Sequence, residues 1–185
     1  MGSRTVSVMT PSTAPLIRRA NVNDAAALSR IASETFVETF GHLYPPEDLQ
    51  AYLPKTYALE RCRAQLDDPA MGIWFATLAS GEGAEPVGFI VVGPCKLPVP
   101  NLESAAGEVQ QLYVYAKHHN LHLGTQLMDT ALAWLESERR TPLYIGVWSQ
   151  NHGAQRFYGR YGFKKVGEYG FPVGNTVDHE FILKR

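Results

Sequence analysis

Three groups of side chains in this 185-residue sequence have types and spacings that could support chemistry. Glu108 can accept a proton at the start of an apolar segment, and the Tyr158 phenol can donate a hydrogen bond or a proton. The third group contains His118, His119 and His122, three histidines within five positions. We do not expect a metal ion there, because no carboxylate or cysteine lies nearby in the sequence to complete a ligand set.

Apolar periodicity predicts the elements that would position these side chains. The predicted strands cover about residues 16–20, 74–78, 87–92, 108–115, 143–148, 163–168 and 177–183. The predicted helices cover about residues 25–41, 46–53, 57–67, 123–138 and 151–161. A strand, a helix and a strand within 108–148 indicate a parallel pair, whereas the predicted hairpins indicate antiparallel neighbours. The sequence therefore predicts an α+β (mixed α/β) fold: a mixed, mostly antiparallel sheet with a parallel central strand pair and helices on both faces.

Length and composition predict one domain over residues 15–185, after a leader at 1–14 whose Ser, Thr and Pro content predicts disorder. The 17 basic and 18 acidic residues nearly balance, which argues against nucleic acid or an anionic membrane as the main partner. The leader lacks the apolar core of a signal peptide and no run approaches the length of a membrane span, so we expect a cytoplasmic protein. Cys62 and Cys95 have neither metal-site nor disulfide spacing, which is typical of reduced thiols.

The segment from Asn151 to Phe163 resembles the late motif of the GNAT superfamily of N-acetyltransferases, N-x-x-A-x-x-F-Y-x-x-x-G-F, and matches each fixed position. The resemblance implies that Asn151 starts a helix and meets the pantetheine arm of acetyl-CoA. It also implies that Tyr158 directs its hydroxyl at the coenzyme sulfur and acts as general acid. A phenol and a thiol differ by only about 1.5 pKa units, roughly 2 kcal/mol, so this proton donation is slightly uphill. The alternative is an ordinary helix with core aromatics and Gly162 as its C-cap.

The same resemblance implies a strand whose backbone binds pantetheine and a following turn that binds the pyrophosphate. The implied cofactor-binding residues are Leu112, Tyr113, Val114, His119, Asn120, Leu121, His122, Leu123, Gly124 and Thr125, with Asn151 and Tyr158. The family pattern of the turn is Q/R-x-x-G-x-G/A, and only Gly124 matches it strictly, since His119 and His122 replace two pattern residues. We still expect acetyl-CoA to bind, because backbone N–H groups at a helix N-terminus hold phosphate and Asn120 tolerates a left-handed backbone.

Glu108 lies six residues before Val114, the spacing at which many GNAT enzymes carry a general base. A base is needed because an alkylamine with a pKa near 10.4 is almost entirely protonated at pH 7. Strict alternation would place Glu108 on the same face of its strand as Gln110, Leu112 and Val114. The alternative is a surface glutamate beside the loop that ends at Gly107.

The acceptor is less constrained by the sequence than the coenzyme. Residues 15–184 are similar to bacterial polyamine (spermidine/spermine) N-acetyltransferases of this superfamily, most clearly at 35–40, 47–49, 146–148 and 171–178. Four acids of the first two helices could attract a polycation or could simply form solvated helix faces. They are Glu34, Glu38, Glu47 and Asp48. A protein or peptide N-terminus and a small xenobiotic amine are alternative acceptors, and a homodimer is compatible with the family.

The resemblance therefore implies an acetyl-CoA-dependent N-acetyltransferase that acts on a primary amine of a small molecule, with no metal and no nucleic-acid or membrane partner. One alternative is a non-catalytic acyl-CoA sensor, which the altered phosphate turn favours and the presence of Asn151, Tyr158 and Glu108 disfavours. Another is an interaction domain without coenzyme, which the intact late motif disfavours.

Overall fold

The computed structural model describes residues 15–78 and 84–185, so the expected leader at 1–14 lies outside the described residues. The strands are β1 (Leu16–Arg19), β2 (Gly72–Thr77), β3 (Pro86–Pro94), β4 (Gly107–Val114), β5 (Leu143–Trp148), β6 (Lys164–Val173) and β7 (Thr176–Lys184). The α-helices are α1 (Ala25–Phe40), α2 (Pro46–Thr56), α3 (Leu59–Asp67), α4 (Leu123–Ser137) and α5 (His152–Arg160). None of these helices is long and apolar enough to cross a membrane. The order of the elements is the predicted one.

Local signals start the helices that come first in the chain. Asn21 accepts a hydrogen bond from the Asn23 backbone at 2.9 Å, and Asp24 accepts one from the Asn21 backbone at 2.9 Å. This capping box lies at a 3-10 turn, Val22–Asp24, that leads directly into α1, and it satisfies donors that a helix start would otherwise leave unpaired. Pro46 lies in the first turn of α2, where a missing N–H costs no helical hydrogen bond.

One seven-stranded sheet organises the molecule, in the order β1-β2-β3-β4-β5-β7-β6. β4 and β5 are parallel and the other neighbouring strands are antiparallel, which confirms the predicted mixed sheet. The parallel pairing covers three positions, from Gly107 opposite Leu143 to Val109 opposite Ile145. β5 continues to pair with β7 as far as Trp148. β4 and β5 therefore separate after Val109 and leave a gap in the middle of the sheet.

The pairing of β3 with β4 corrects the strict alternation expected for β4. The register shifts by one residue after Val109, so β4 contains one extra residue at this bulge. A one-residue insertion exchanges the two faces for every later side chain. Glu108 therefore lies on the face that carries Tyr113, and Leu112 and Val114 lie on the opposite face.

Two apolar cores cover opposite faces of the sheet, which confirms helices on both faces. The core under α1, α2 and α3 includes the fully buried residues Ile31, Phe75 and Phe89. The core under α4 and α5 includes the fully buried Leu127 and Met128. A third, smaller cluster anchors the loop between β3 and β4, because Leu97, Ala106, Tyr144 and Ile182 pack together. The helices therefore cover both faces of the sheet, and this loop packs on β5 and β7.

A buried carboxylate joins α2 to the turn between β6 and β7. Asp48 accepts hydrogen bonds from the Asn175 backbone at 2.8 Å, the Thr176 backbone at 3.1 Å and the Thr176 hydroxyl at 2.7 Å. Gly174 has φ +60°, and a Cβ there would lie 2.3 Å from the carboxylate, so this close approach requires glycine. These donors, led by the Asn175 N–H, hold the pKa of Asp48 below its ordinary value. We call this contact the Asp48 clasp.

Asp48→Asn should destabilise the protein at neutral pH, because an amide cannot accept from all three donors. The folded pKa of Asp48 is lowered, so its stabilisation is present above the unfolded pKa of about 3.9 and is lost as the pH falls through the folded pKa. In thermal denaturation we expect the variant's Tm to lie several degrees below wild type at pH 7, and the difference to shrink at strongly acidic pH. Glu47→Gln, at an exposed neighbouring acid, is the control. A Tm difference independent of pH would contradict this role.

Candidate active site

A cleft of about 1010 Å³ occupies the gap between β4 and β5. Its α4–α5 side consists of β4, the turn 115–122, the start of α4, and α5; its hairpin side consists of α1, α2, β6 and β7. The predicted site residues that line it are Glu108, Leu112, Tyr113, Val114, His119, Asn120, His122, Leu123, Gly124, Thr125, Asn151 and Tyr158. Leu121 does not line the cleft, and its side chain is 46% exposed. The structure thus brings together all the predicted residues but one.

Asn151 caps α5 as expected from the sequence. Its side-chain oxygen accepts a hydrogen bond from the Ala154 backbone at 3.0 Å, which satisfies a donor at the helix start. Gln155 adds a contact that sequence reasoning missed, since its amide donates to the carbonyls of Trp148 and Ser149 at 3.2 and 3.0 Å. These bonds tie α5 to the end of β5 and so set where the helix enters the cleft.

Tyr158 is buried in the core under α5 and lines the cleft. Within residues 15–78 and 84–185, no protein group hydrogen-bonds its hydroxyl. Burial, and then the charge of Glu180, raise the pKa of Tyr158 to about 12. The difference from a thiol is then about 3.5 units, roughly 5 kcal/mol, rather than the smaller difference expected from the sequence. Tyr158 therefore keeps its proton at neutral pH and suits hydrogen bonding to a developing thiolate better than full proton transfer.

The turn before α4 has the backbone of a phosphate site despite its side chains. Asn120 and His122 have φ values of +68° and +56°, the left-handed region that the family's glycines would favour. The first intrahelical bond of α4 runs from Gln126 to His122 at 3.1 Å, so the three preceding N–H groups have no helical acceptor. Such N–H groups at a helix start form an anion site. His119 places Nε2 2.9 Å from the Val114 carbonyl, which anchors the turn to β4.

The positions of the four acids in α1 and α2 correct the sequence-based idea that these side chains attract the acceptor. None of the four lines the cleft. Glu34 accepts a hydrogen bond from the Tyr115 hydroxyl, and Glu38 accepts one from the Ala116 backbone at 2.9 Å. Both therefore hold the end of β4, on the α4–α5 side. In α2, Asp48 is buried in its clasp.

Glu108 lies buried at the narrow end of the gap, on the cleft wall. Its Oε2 accepts a hydrogen bond from the Lys96 backbone at 2.7 Å, so the loop before β4 holds it in place. Burial raises the pKa of Glu108, and the Lys96 N–H partly opposes that rise. A buried carboxylate with raised proton affinity is suited to accept a proton.

Two further carboxylates line the hairpin side, and the sequence analysis missed both. Asp178 and Glu180 alternate along β7 and so share one face of that strand. The Tyr44 hydroxyl donates to Asp178, and the Tyr169 hydroxyl donates to Glu180 Oε2 at 2.5 Å. Burial is the main cause that raises the pKa of Glu180, and the charges of Asp178 and Glu108 add to the rise. Alternating acids in a predicted strand were the signal available in the sequence.

Aromatic rings line the same cleft as these carboxylates. Phe40 meets Trp148 edge to face at a centroid distance of 6.0 Å and Tyr113 at 6.4 Å. Tyr52 meets Phe171 in the same manner at 6.2 Å. The hairpin side thus combines negative charge with ring faces, two features that attract an organic cation.

A sheet that splits around a cleft, with an anion-binding helix start and a buried tyrosine on one side, is the architecture of a coenzyme A-dependent acyltransferase. The sequence model of the acetyltransferase (GNAT) family matches residues 27–163, and the chain belongs to this family. By family it is an acetyl-CoA-dependent N-acetyltransferase.

Curated relatives cover most of the chain at modest identity. An uncharacterized N-acetyltransferase of Lactobacillus delbrueckii subsp. lactis is 28% identical over 160 residues, which are 84% of this chain and 87% of the relative. An uncharacterized N-acetyltransferase of Mycobacterium bovis is 24% identical over 164 residues, which are 89% of this chain and 98% of the relative.

Solved structures agree in fold. The PaiA N-acetyltransferase of Thermoplasma acidophilum, in complex with coenzyme A, superposes with a TM-score of 0.71 at 18% identity, covering 92% of this chain and 98% of that one. Arabidopsis thaliana NAA60, in complex with a bisubstrate analogue, superposes with a TM-score of 0.68 at 15% identity, covering 92% and 97%.

His122→Gly should retain or improve coenzyme binding. Replacing a left-handed non-glycine residue with glycine removes about 1 kcal/mol of backbone strain. The backbone N–H groups stay in place. We expect a higher Tm and an unchanged or lower Kd for acetyl-CoA in calorimetry. His118→Gly is the control for stability, because His118 has no positive φ and its replacement relieves nothing. A large loss of acetyl-CoA affinity in His122→Gly would show instead that the imidazole itself binds phosphate.

Proposed function

We propose that this N-acetyltransferase acetylates the primary amino group of a small cationic molecule, with a polyamine as the leading candidate. The observation that carries the proposal is the set of three carboxylates on the cleft wall, Glu108, Asp178 and Glu180. Among the described residues no lysine or arginine forms an ion pair with them, and the charge of Lys96 only partly offsets the burial of Glu108. A net charge of −1 for the whole chain supplies no strong overall field, so any attraction of a cation depends on the local position of these carboxylates. The similarity of residues 15–184 to polyamine N-acetyltransferases supports the choice of polyamine.

In the proposed reaction, acetyl-CoA supplies a thioester whose carbonyl carbon accepts the amine. The start of α4 binds the pyrophosphate through backbone N–H groups, and Asn151 and the β4 backbone position the pantetheine arm. Glu108 takes one proton from the ammonium, directly or through water, and so frees the nitrogen lone pair. As the C–N bond forms and the C–S bond breaks, Tyr158 donates a hydrogen bond to the departing sulfur. The second nitrogen proton neutralises the thiolate, and Glu108 returns its proton to solvent.

A second candidate is an acyl-CoA sensor without turnover. The replacements at His119, Asn120 and His122 favour it, because they depart from the family's phosphate turn. The buried Glu108 and Tyr158 disfavour it, because a sensor needs neither a proton acceptor nor a donor on the cleft wall.

Thiol release separates these two candidates. The protein is incubated with acetyl-CoA and a panel containing spermidine, 1,4-diaminobutane, n-butylamine, a peptide with a free N-terminus and an arylamine, and free coenzyme A is followed by a thiol reagent. We expect release that depends on an aliphatic amine and is fastest with the polycations. No release across the panel would support the sensor, and release that does not depend on an amine would contradict acetyl transfer to an amine.

Tyr158→Phe should lower kcat by about 10²-fold or more, the range for loss of a positioned proton or hydrogen-bond donor, while the Kd for acetyl-CoA stays unchanged. Tyr161→Phe is the matched control, because Tyr161 follows the same helix but does not line the cleft. Its hydroxyl donates a hydrogen bond to Asp129 at 2.9 Å. Unchanged turnover in Tyr158→Phe would exclude Tyr158 from the chemical step.

A further inference from the structure

Three residues meet where the hairpin side approaches β5. Gly146 has no side chain, and a Cβ there would lie 2.7 Å from the Tyr169 hydroxyl and 3.1 Å from Glu180 Oε2. All three line the cleft. Glycine therefore allows the Tyr169–Glu180 pair to lie directly over the strand that borders the gap.

Glu180 retains hydrogen-bonding capacity that Glu108 has partly used. Among the described residues, the Tyr169 hydroxyl is the donor to Glu180, and it bonds Oε2 alone. An ionised carboxylate accepts about four hydrogen bonds, so Oε1 can take a donor from a ligand. Glu108, by contrast, already accepts a hydrogen bond from the Lys96 backbone. It also lies at the narrow end of the gap. The two carboxylates are also close enough for the charge of Glu108 to raise the pKa of Glu180.

We propose, resting on the proposed function, that Glu180 binds the ammonium form of the acceptor and that Tyr169 holds this carboxylate in position. The ammonium nitrogen then lies between Glu180 and Glu108, and Glu108 takes its proton. An ammonium group has three donors, so a hydrogen bond to Glu180 leaves two for water or for Glu108. Trp148, the partner of Glu180 across the β5–β7 pairing, offers a ring to the same cation.

Electrostatics favours this arrangement because two nearby carboxylates in a partly desolvated cleft repel each other. A cation between them removes the repulsion, which a neutral acceptor cannot do. The charge of Glu180 also acts on Tyr158 across the cleft, where it raises the pKa of the phenol. A bound ammonium offsets that charge and makes Tyr158 a better donor at the moment when the acceptor is present.

The test compares Glu180→Gln with Glu108→Gln, using the aliphatic amine of the panel that wild type acetylates best. We expect Glu180→Gln to raise KM for the amine at least about tenfold, as for loss of one partner of a buried charge pair, with kcat within a few-fold and KM for acetyl-CoA unchanged. We expect Glu108→Gln to lower kcat with a smaller change in KM. Glu180→Asp should recover part of the loss. Glu168→Gln is the control, since Glu168 lies on the same hairpin, exposed and paired with Lys165.

Gly146→Ala provides a variant that keeps the carboxylate and displaces it. We expect a raised KM for the amine from this change as well, because its Cβ pushes the Tyr169–Glu180 pair away from β5. An unchanged amine KM in Glu180→Gln, or a loss confined to kcat, would overturn the proposal. A rise in KM for acetyl-CoA with a lowered Tm would overturn it in favour of a structural role.

Calorimetric titration of spermidine into the complex of the protein with coenzyme A tests the role of Glu180 separately from acetyl transfer. Loss of spermidine binding in Glu180→Gln but not in Glu168→Gln supports an ammonium site, even in a protein that released no thiol. Absent thiol release would overturn the acetyl transfer. Equal spermidine binding by wild type and Glu180→Gln would overturn the role of Glu180 alone.

Discussion

The separation of β4 from β5 is the constraint on which the rest of the structure depends. Beyond Val109 the facing backbone groups of these strands no longer satisfy each other, and buried backbone groups without partners are costly. Such an opening persists because the elements around it are held independently. β3 supports β4 along its length, and β7 supports β5. The cleft is therefore a stable interruption of the pairing within the sheet. It exposes the edge of β4, to which the coenzyme arm can hydrogen-bond.

The two sides of the cleft differ in the charge of the groups that they present. The α4–α5 side presents N–H groups and a phenol, which are neutral donors suited in the proposed reaction to phosphate and a developing thiolate. The hairpin side presents carboxylates that tyrosine hydroxyls hold in position, and in the proposed reaction they face the amine. Glu180 connects the two, since the charge of Glu108 raises its pKa and its own charge raises the pKa of Tyr158. Burial strengthens the interactions of Glu108 and Tyr158, because water screens them less.

Features encoded by neighbouring residues were predictable from the sequence. Apolar periodicity is local, and so the order of strands and helices follows from it; the late motif is also local, and it identifies Asn151 and Tyr158. The bulge in β4 was not predictable, because it arises from the register with β3. Glu180 was missed for a similar reason, since only the pairing of β7 with β5 brings it to the cleft. Asp48 looked like a surface acid because its three donors lie far away in the chain.

The Asp48 clasp has a consequence for the order in which the molecule folds. Asp48 and Asn175 are 127 positions apart, whereas β4, α4, β5 and α5 are contiguous between residues 107 and 160. Contacts between neighbouring segments form early, and contacts across long loops carry a larger entropic cost. During folding, the local contacts of the α4–α5 side can therefore form before the contacts that span the whole chain. The hairpin side cannot close until residues 175–176 reach Asp48, so we expect the strand that carries Asp178 and Glu180 to dock after the turn and helix start of α4 have formed.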